Sequence, residues 1–219
     1  MKAFLRILAA FALLAATGAD AHPAIAGAWG SSAASPDAPP APMPIPPRVL
    51  GSANAPIKVD EFVALTCSHC AEFYNVTMPQ IEKKYVETGK VRFVLHDFIM
   101  DASGLKAVVI ARCMPEDSFY PFIKILFKNQ MEWAGSPNAE KTLISYAKLG
   151  GLPEDKAQSC LKDTQFQDAL IADMTASAQK YNVEATPTFV INDGAEIIKG
   201  SEPIETFTKL FDKLLADKH

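Results

Sequence analysis

The chain has 219 residues, with 21 Lys or Arg against 25 Asp or Glu, for a formal net charge of −4. This mildly acidic balance, without a run of like charge or an internal repeat, leaves no electrostatic footprint for nucleic acid. Beyond the N-terminus no stretch offers the roughly 20 apolar residues that a bilayer-spanning helix needs.

Met1-Lys2 and Arg6 precede an apolar stretch from Ile7 to Ala16, and Ala19-Asp20-Ala21 follows. A basic start, a short apolar core and a small-x-small site read as a secretory signal over 1–21, cut after Ala21. An uncleaved membrane anchor is the other reading. Cleavage would remove Lys2, Arg6 and Asp20 and take the formal charge from −4 to −5. Residues 22–49 hold eight of the sixteen prolines, spaced by Ala, Ser and Gly. Such a segment has little to bury and reads as a disordered linker, either a plain spacer or a tether to a membrane or wall. What remains is about 170 residues, enough for one domain with a sizeable core.

Ile57 to Leu65 is a nearly continuous apolar run and predicts a buried strand. A helix is expected over 68–87, kinked or split by Pro79 and ended by Gly89, and then a strand over 91–98. Strand, helix, strand implies parallel pairing through a crossover connection. Helices are expected over 104–113, 118–132, 138–149, 154–162 and 165–181, with Asn138 and Asp163 as N-caps. Strand character returns over 188–192 and 196–199, across the turn Asp193-Gly194. A last helix is expected over 203–216.

Cys67-Ser68-His69-Cys70 lies between the first of these strands and the helix after it. Two cysteines so spaced can close a small disulfide ring, and the first sits where the helix dipole favours a thiolate. That is the chemistry of thiol–disulfide exchange. A lone C-x-x-C is also half of a zinc site. Structural zinc commonly takes two paired ligand sets, however. Cys113 and Cys160 are isolated in separate helices, and His22, His96 and His219 form no second pair, so no metal site is expected. In an exported chain the two remaining cysteines are expected to bridge.

Val59 to Tyr74, VDEFVALTCSHCAEFY, resembles the active-site segment of the DsbA-like thiol:disulfide oxidoreductases. Thr186-Pro187-Thr188-Phe189 is similar to that family's cis-proline loop. His96-Asp97-Phe98, Leu126-Phe127, the run Gln130 to Trp133 and Cys160-Leu161 share its character. The resemblance implies an α/β chain with a thioredoxin fold and an inserted all-helical domain. It would place the thioredoxin-like domain at 50–102 and 182–219 and the helical insertion at 103–181.

By the same resemblance Cys67 is the exposed, reactive cysteine and Cys70 its buried resolving partner. His69 would add positive charge or a hydrogen bond to the Cys67 thiolate; the alternative is an exposed polar residue. Glu61 matches the family's buried acid, which exchanges a proton with Cys70. An edge-strand glutamate facing water is the alternative. The family's neighbouring basic residue is missing near Phe93, with Arg92 or His96 as substitutes. Pro187 would be cis and present the Thr186 backbone to an extended peptide; a trans strand start is the alternative. Thr186 departs from the valine of the family's best-known oxidases and resembles its isomerases and reductase-like members. Cys113–Cys160 would be a structural bridge, a redox-tuning bridge or a pair of free thiols.

The resemblance implies a periplasmic or otherwise exported monomer, without cofactor, that introduces disulfide bonds into thiol-bearing exported proteins. A membrane redox partner would reoxidise it. A reductase or isomerase of the same fold is the nearest rival, and a non-catalytic peptide-binding, chaperone-like module the more distant one.

Overall fold

The computed structural model describes residues 43–217. The signal reading, over 1–21, lies outside the described residues. Among those described, five strands form one sheet: β1 (Arg48–Leu50), β2 (Ile57–Val63), β3 (Val91–Asp97), β4 (Thr188–Ile191) and β5 (Glu196–Lys199), in the order β1-β3-β2-β4-β5. β2 runs parallel to β3 and antiparallel to β4, with Glu61 opposite Leu95 on one side and Phe189 on the other. β1 is antiparallel to β3, and β5 to β4.

The central position of β2 accounts for its composition. A strand covered on both faces reads as a continuous apolar run, and six of its seven residues are buried. Alternation sends Asp60 and Phe62 to one face, where Phe62 packs with Val183 and Val190. Val59 and Val63 go to the other face and join the main core.

The strand expected over 57–65 ends at Val63, because the chain turns there: the Cys67 N–H donates to the Ala64 carbonyl at 3.0 Å. The helix that follows is not one kinked rod. It runs as α1 (Ser68–Glu72), a π turn over Phe73–Thr77, α2 (Met78–Ile81) and a second π turn over Glu82–Val86. Pro79 stands in the first turn of α2, where it has no N–H to lose. The π turn before it closes when the Met78 N–H reaches five residues back to the Phe73 carbonyl.

β1 was not expected from the sequence. Arg48 and Val49 belong to the stretch read as linker, yet they pair with Leu95 and Val94, and Ile45 packs against the core. Three residues after a run of prolines carry no strand periodicity. The pairing exists because β3 offers an edge.

Between β3 and β4 lies an all-helical insertion of α3 (Ala102–Cys113), α4 (Glu116–Lys128), α5 (Gln130–Trp133), α6 (Ala139–Leu149), α7 (Glu154–Lys162) and α8 (Thr164–Tyr181). The helix expected over 118–132 breaks at Asn129, whose backbone leaves the helical region (φ −110, ψ 24). Asp163 caps α8 by accepting from the Phe166 N–H. Asn138 makes no side-chain cap on α6; its own N–H donates to Ser136 Oγ instead. The last helix, α9 (Ile204–Ala216), sends Phe207 and Phe211 into the core, where Phe207 meets Phe73 and Phe189 at centroid distances of 5.5 and 5.1 Å. Each such buried ring contributes about 1.5–3 kcal/mol of transfer free energy.

Sheet and insertion are tied by a buried ion pair. Arg112 Nε donates to Asp97 Oδ2 at 2.6 Å, while Nη2 reaches the Leu95 carbonyl and Nη1 the Pro46 carbonyl. No described helix is long and apolar enough to cross a membrane.

Candidate active site

Cys67 is the N-cap of α1, with extended backbone (φ −82, ψ 123), so its side chain lies beside the first free N–H groups of the helix. It is half-buried, and Cys70, one turn on, is completely buried; both are free thiols here. The difference in exposure divides their chemistry. A hydrogen bond from Cys70 lowers the Cys67 pKa first of all, and partial burial opposes it. The Thr186 side chain and the backbone N–H groups of Cys70 and His69 then add to the lowering, which takes it from 9.0 to about 4. Burial pushes the Cys70 thiol far upward, and the Cys67 charge adds to that.

The peptide Thr186-Pro187 is cis. The Thr186 carbonyl lies 3.5 Å from Cys67 Sγ, across 119 residues of sequence. Cys67, Cys70, Thr186 and Pro187 are thus assembled at one place. The His69 ring is exposed, and it is the residue's backbone N–H that bears on Cys67.

Glu61, on β2 six residues before Cys67, is completely buried. Its Oε1 accepts a 2.7 Å hydrogen bond from the Tyr74 hydroxyl. Oε2 carries no hydrogen bond. Burial raises the Glu61 pKa from 4.5 to about 8, against the lowering effect of that one bond. Neither basic substitute reaches it. His96 Nε2 lies 2.9 Å from Asp60 Oδ1 on the opposite face of the sheet, and its ring stacks on Phe62. Arg92 stands in register with Lys58, three residues away along β2.

Three contacts were not read from the sequence. Gln130 Nε2 donates to the carbonyls of both Leu65 (2.8 Å) and Cys67 (2.9 Å), so the insertion holds the loop that carries the nucleophile. The break at Asn129 is what turns Gln130 toward that loop. Thr66 Oγ1 donates to Asp101 Oδ2 at 2.6 Å, and Asp101 Oδ1 caps α3 at the Gly104 N–H. Tyr74 is the third; its place four residues after Cys70 was a legible signal, since that spacing shares a helix face.

Cys113 and Cys160 are joined to each other within the insertion, between α3 and α7. They are therefore not a second ligand pair for a metal at Cys67 and Cys70.

The sequence pattern of the thioredoxin family matches residues 45–213. The "Putative protein-disulfide oxidoreductase RP025" of Rickettsia prowazekii is 32% identical over 171 residues, 78% of this chain; this chain spans 62% of that relative's length. Disulfide bond formation protein D of Bacillus subtilis is 28% identical, with 78% of each chain covered. Among solved structures, alpha-DsbA1 of Wolbachia pipientis superposes with a TM-score of 0.72 at 29% identity, over 80% of this chain and 94% of that one.

Proposed function

Because the chain belongs to the DsbA-like thiol:disulfide oxidoreductases of the thioredoxin superfamily, we propose that it introduces disulfide bonds into exported proteins by exchange through Cys67 and Cys70. A substrate thiolate attacks Sγ of Cys67 in the oxidised enzyme, and Cys70 leaves. A second substrate thiolate then attacks the substrate sulfur of the mixed disulfide and releases Cys67 as a thiolate. The products are an oxidised substrate and a dithiol enzyme. No bound cofactor is needed for these steps.

The observation that carries this reading is the contrast between the two sulfurs. Cys67 is half-buried with its pKa near 4, whereas Cys70 is sealed with its pKa pushed up. Stabilising the Cys67 thiolate stabilises the reduced state, which makes the disulfide a stronger oxidant. The Thr186 carbonyl beside Cys67 supplies an acceptor for an extended peptide laid across the motif.

Export is supported by the basic and apolar start of the chain and by the Cys113–Cys160 bridge, a feature of oxidising compartments. A monomer reoxidised by a membrane redox partner completes the cycle. Thr186 favours the second reading, a reductase or isomerase kept in the dithiol state.

Redox titration of Cys67–Cys70, with thiol trapping that separates Cys113 and Cys160, tests the assignment. A potential near about −120 mV supports disulfide donation, and one near about −270 mV favours the reductase. A motif that oxidises at no poise would overturn both. Full retention of activity after Cys67→Ser with Cys70→Ser would leave only a peptide-binding module.

A further inference from the structure

Tyr74 is buried at 4% exposure in the turn just after the motif, and among the described residues its hydroxyl is the one hydrogen-bond partner of the buried Glu61 carboxyl. The phenol ring lies tilted by 30° against Phe127 at a centroid distance of 4.4 Å and meets Phe73 edge-on at 5.8 Å. It stands in a π turn, a helix geometry that recurs at functional sites. We propose that Tyr74 is a positioning residue for the proton transfer at Cys70: its hydroxyl fixes the Glu61 carboxyl through Oε1, leaves Oε2 to carry the proton, and sets the pH at which that proton is released.

This inference rests on the exchange chemistry proposed above. When a substrate thiolate attacks Cys67, the new S–S bond forms as the Cys67–Cys70 bond breaks, and Cys70 departs with the electron pair. Its thiolate is buried and must be neutralised. Glu61 supplies the proton from Oε2, and the carboxylate so formed keeps the Tyr74 O–H bond at Oε1. A hydrogen bond to the charged form favours that form, so Tyr74 lowers the pH at which Glu61 parts with its proton.

The surroundings leave this task to the phenol. Leu95 and Phe189, the strand neighbours of Glu61, are apolar. Glu82, from the second π turn, opposes ionisation of Glu61; its Oε2 is paired with Lys124 Nζ at 2.6 Å and its Oε1 is buried without a hydrogen bond. Tyr120 of α4 also feels the Glu61 charge, and Tyr74 feels that of Cys70. Among the described residues, no basic side chain is one of the groups whose charge bears on Glu61. Tyr74 itself stays neutral, since burial and then Glu61 hold its pKa well above 10.0.

The test is the Tyr74→Phe variant of the full chain, with the Glu61 carboxyl titrated by its infrared carbonyl band and Glu61→Gln used to assign that band. The midpoint is expected to rise by about 1–2 pH units, the worth of one hydrogen bond to a charged group. The pH profile of mixed-disulfide formation should move the same way, while the Cys67 thiolate absorbance titrates as before. If Tyr74→Phe does not fold, 3-fluorotyrosine at position 74 is a stronger donor and should lower the midpoint. A midpoint that stays put in the folded variant, or moves the other way, overturns the proposal. The infrared titration needs no substrate, so an inactive protein with a shifted midpoint would sink the exchange reading and spare the Tyr74–Glu61 coupling.

Discussion

The sulfur of Cys67 and the carbonyl oxygen of Thr186 lie 3.5 Å apart although 119 residues separate them. The Thr186 side chain also favours the Cys67 thiolate. Thr186→Val keeps the shape and removes the hydroxyl, so the Cys67 pKa should rise from about 4. A rise of about one pH unit is expected, which is a tenfold smaller preference for the thiolate. Thiolate absorbance against pH, with the potential measured in parallel, reads the change. The disulfide should become a weaker oxidant.

Glu61 makes the oxidised protein sensitive to alkali. Its pKa in the fold, about 8, exceeds its ordinary 4.5. Between those values the native state holds a proton that the unfolded chain has lost. The corresponding stability is complete below pH 4.5 and is lost as the pH rises through 8. Urea midpoints of the oxidised protein should fall across that window, and Glu61→Gln should flatten the fall.

Cys67 acts in the opposite sense and only in the dithiol form. Its folded pKa of about 4 lies below its ordinary 9.0. Its contribution is therefore present in full above pH 9.0 and is lost as the pH falls through 4. The stability of the reduced protein relative to the oxidised one should shrink as the pH is lowered from 9.0 to about 4, and Cys67→Ser, which has no oxidised form, should lose this part of the reduced protein's own pH dependence. Paired melting curves at several pH values decide it.

Gln130→Ala removes both donors from the Leu65 and Cys67 carbonyls. The Cys67 carbonyl keeps the Ala71 N–H at 3.1 Å, and leaving the buried Leu65 carbonyl unpaired costs about 1–3 kcal/mol. Exchange with a peptide disulfide should slow beyond what the stability loss explains, because the loop bearing Cys67 loses its anchor on the insertion. Urea unfolding and stopped-flow kinetics on the same variant separate the two effects.

Replacing Cys113 and Cys160 together by Ser opens a link between positions 47 apart. The chain-entropy model puts the loss at about 4 kcal/mol. Denaturant unfolding should show it, with the Cys67 thiolate titration unchanged, since the bridge lies within the insertion.

Much of the architecture was legible because it rests on local pattern. The apolar run of β2, the C-x-x-C at a strand–helix junction and the turn before β5 each carry their own signal. The order of elements then implied the parallel pairing of β2 and β3 that the sheet contains. β1 was invisible, since three residues beside prolines become a strand only where β3 offers an edge. The break at Asn129 was hidden for a related reason, because Gln130 gains its two acceptors only from a loop 63 and 65 residues away.

The sequence alone pointed to the reactive pair by residue type and spacing, and to the loop with its proline by resemblance to the family, since these chemistries depend on which atoms are present. Only the tertiary structure decided what those atoms experience. Cys70 and Glu61 owe their raised pKa values to burial, and burial is a property of the packed whole. The carboxyl whose basic neighbour is missing from the sequence meets the Tyr74 phenol, while His96, one of the two substitutes, turns to Asp60 on the far face. Strand alternation sends neighbouring side chains to opposite faces, and which face receives a helix, a phenol or an imidazole is settled only when the sheet is covered.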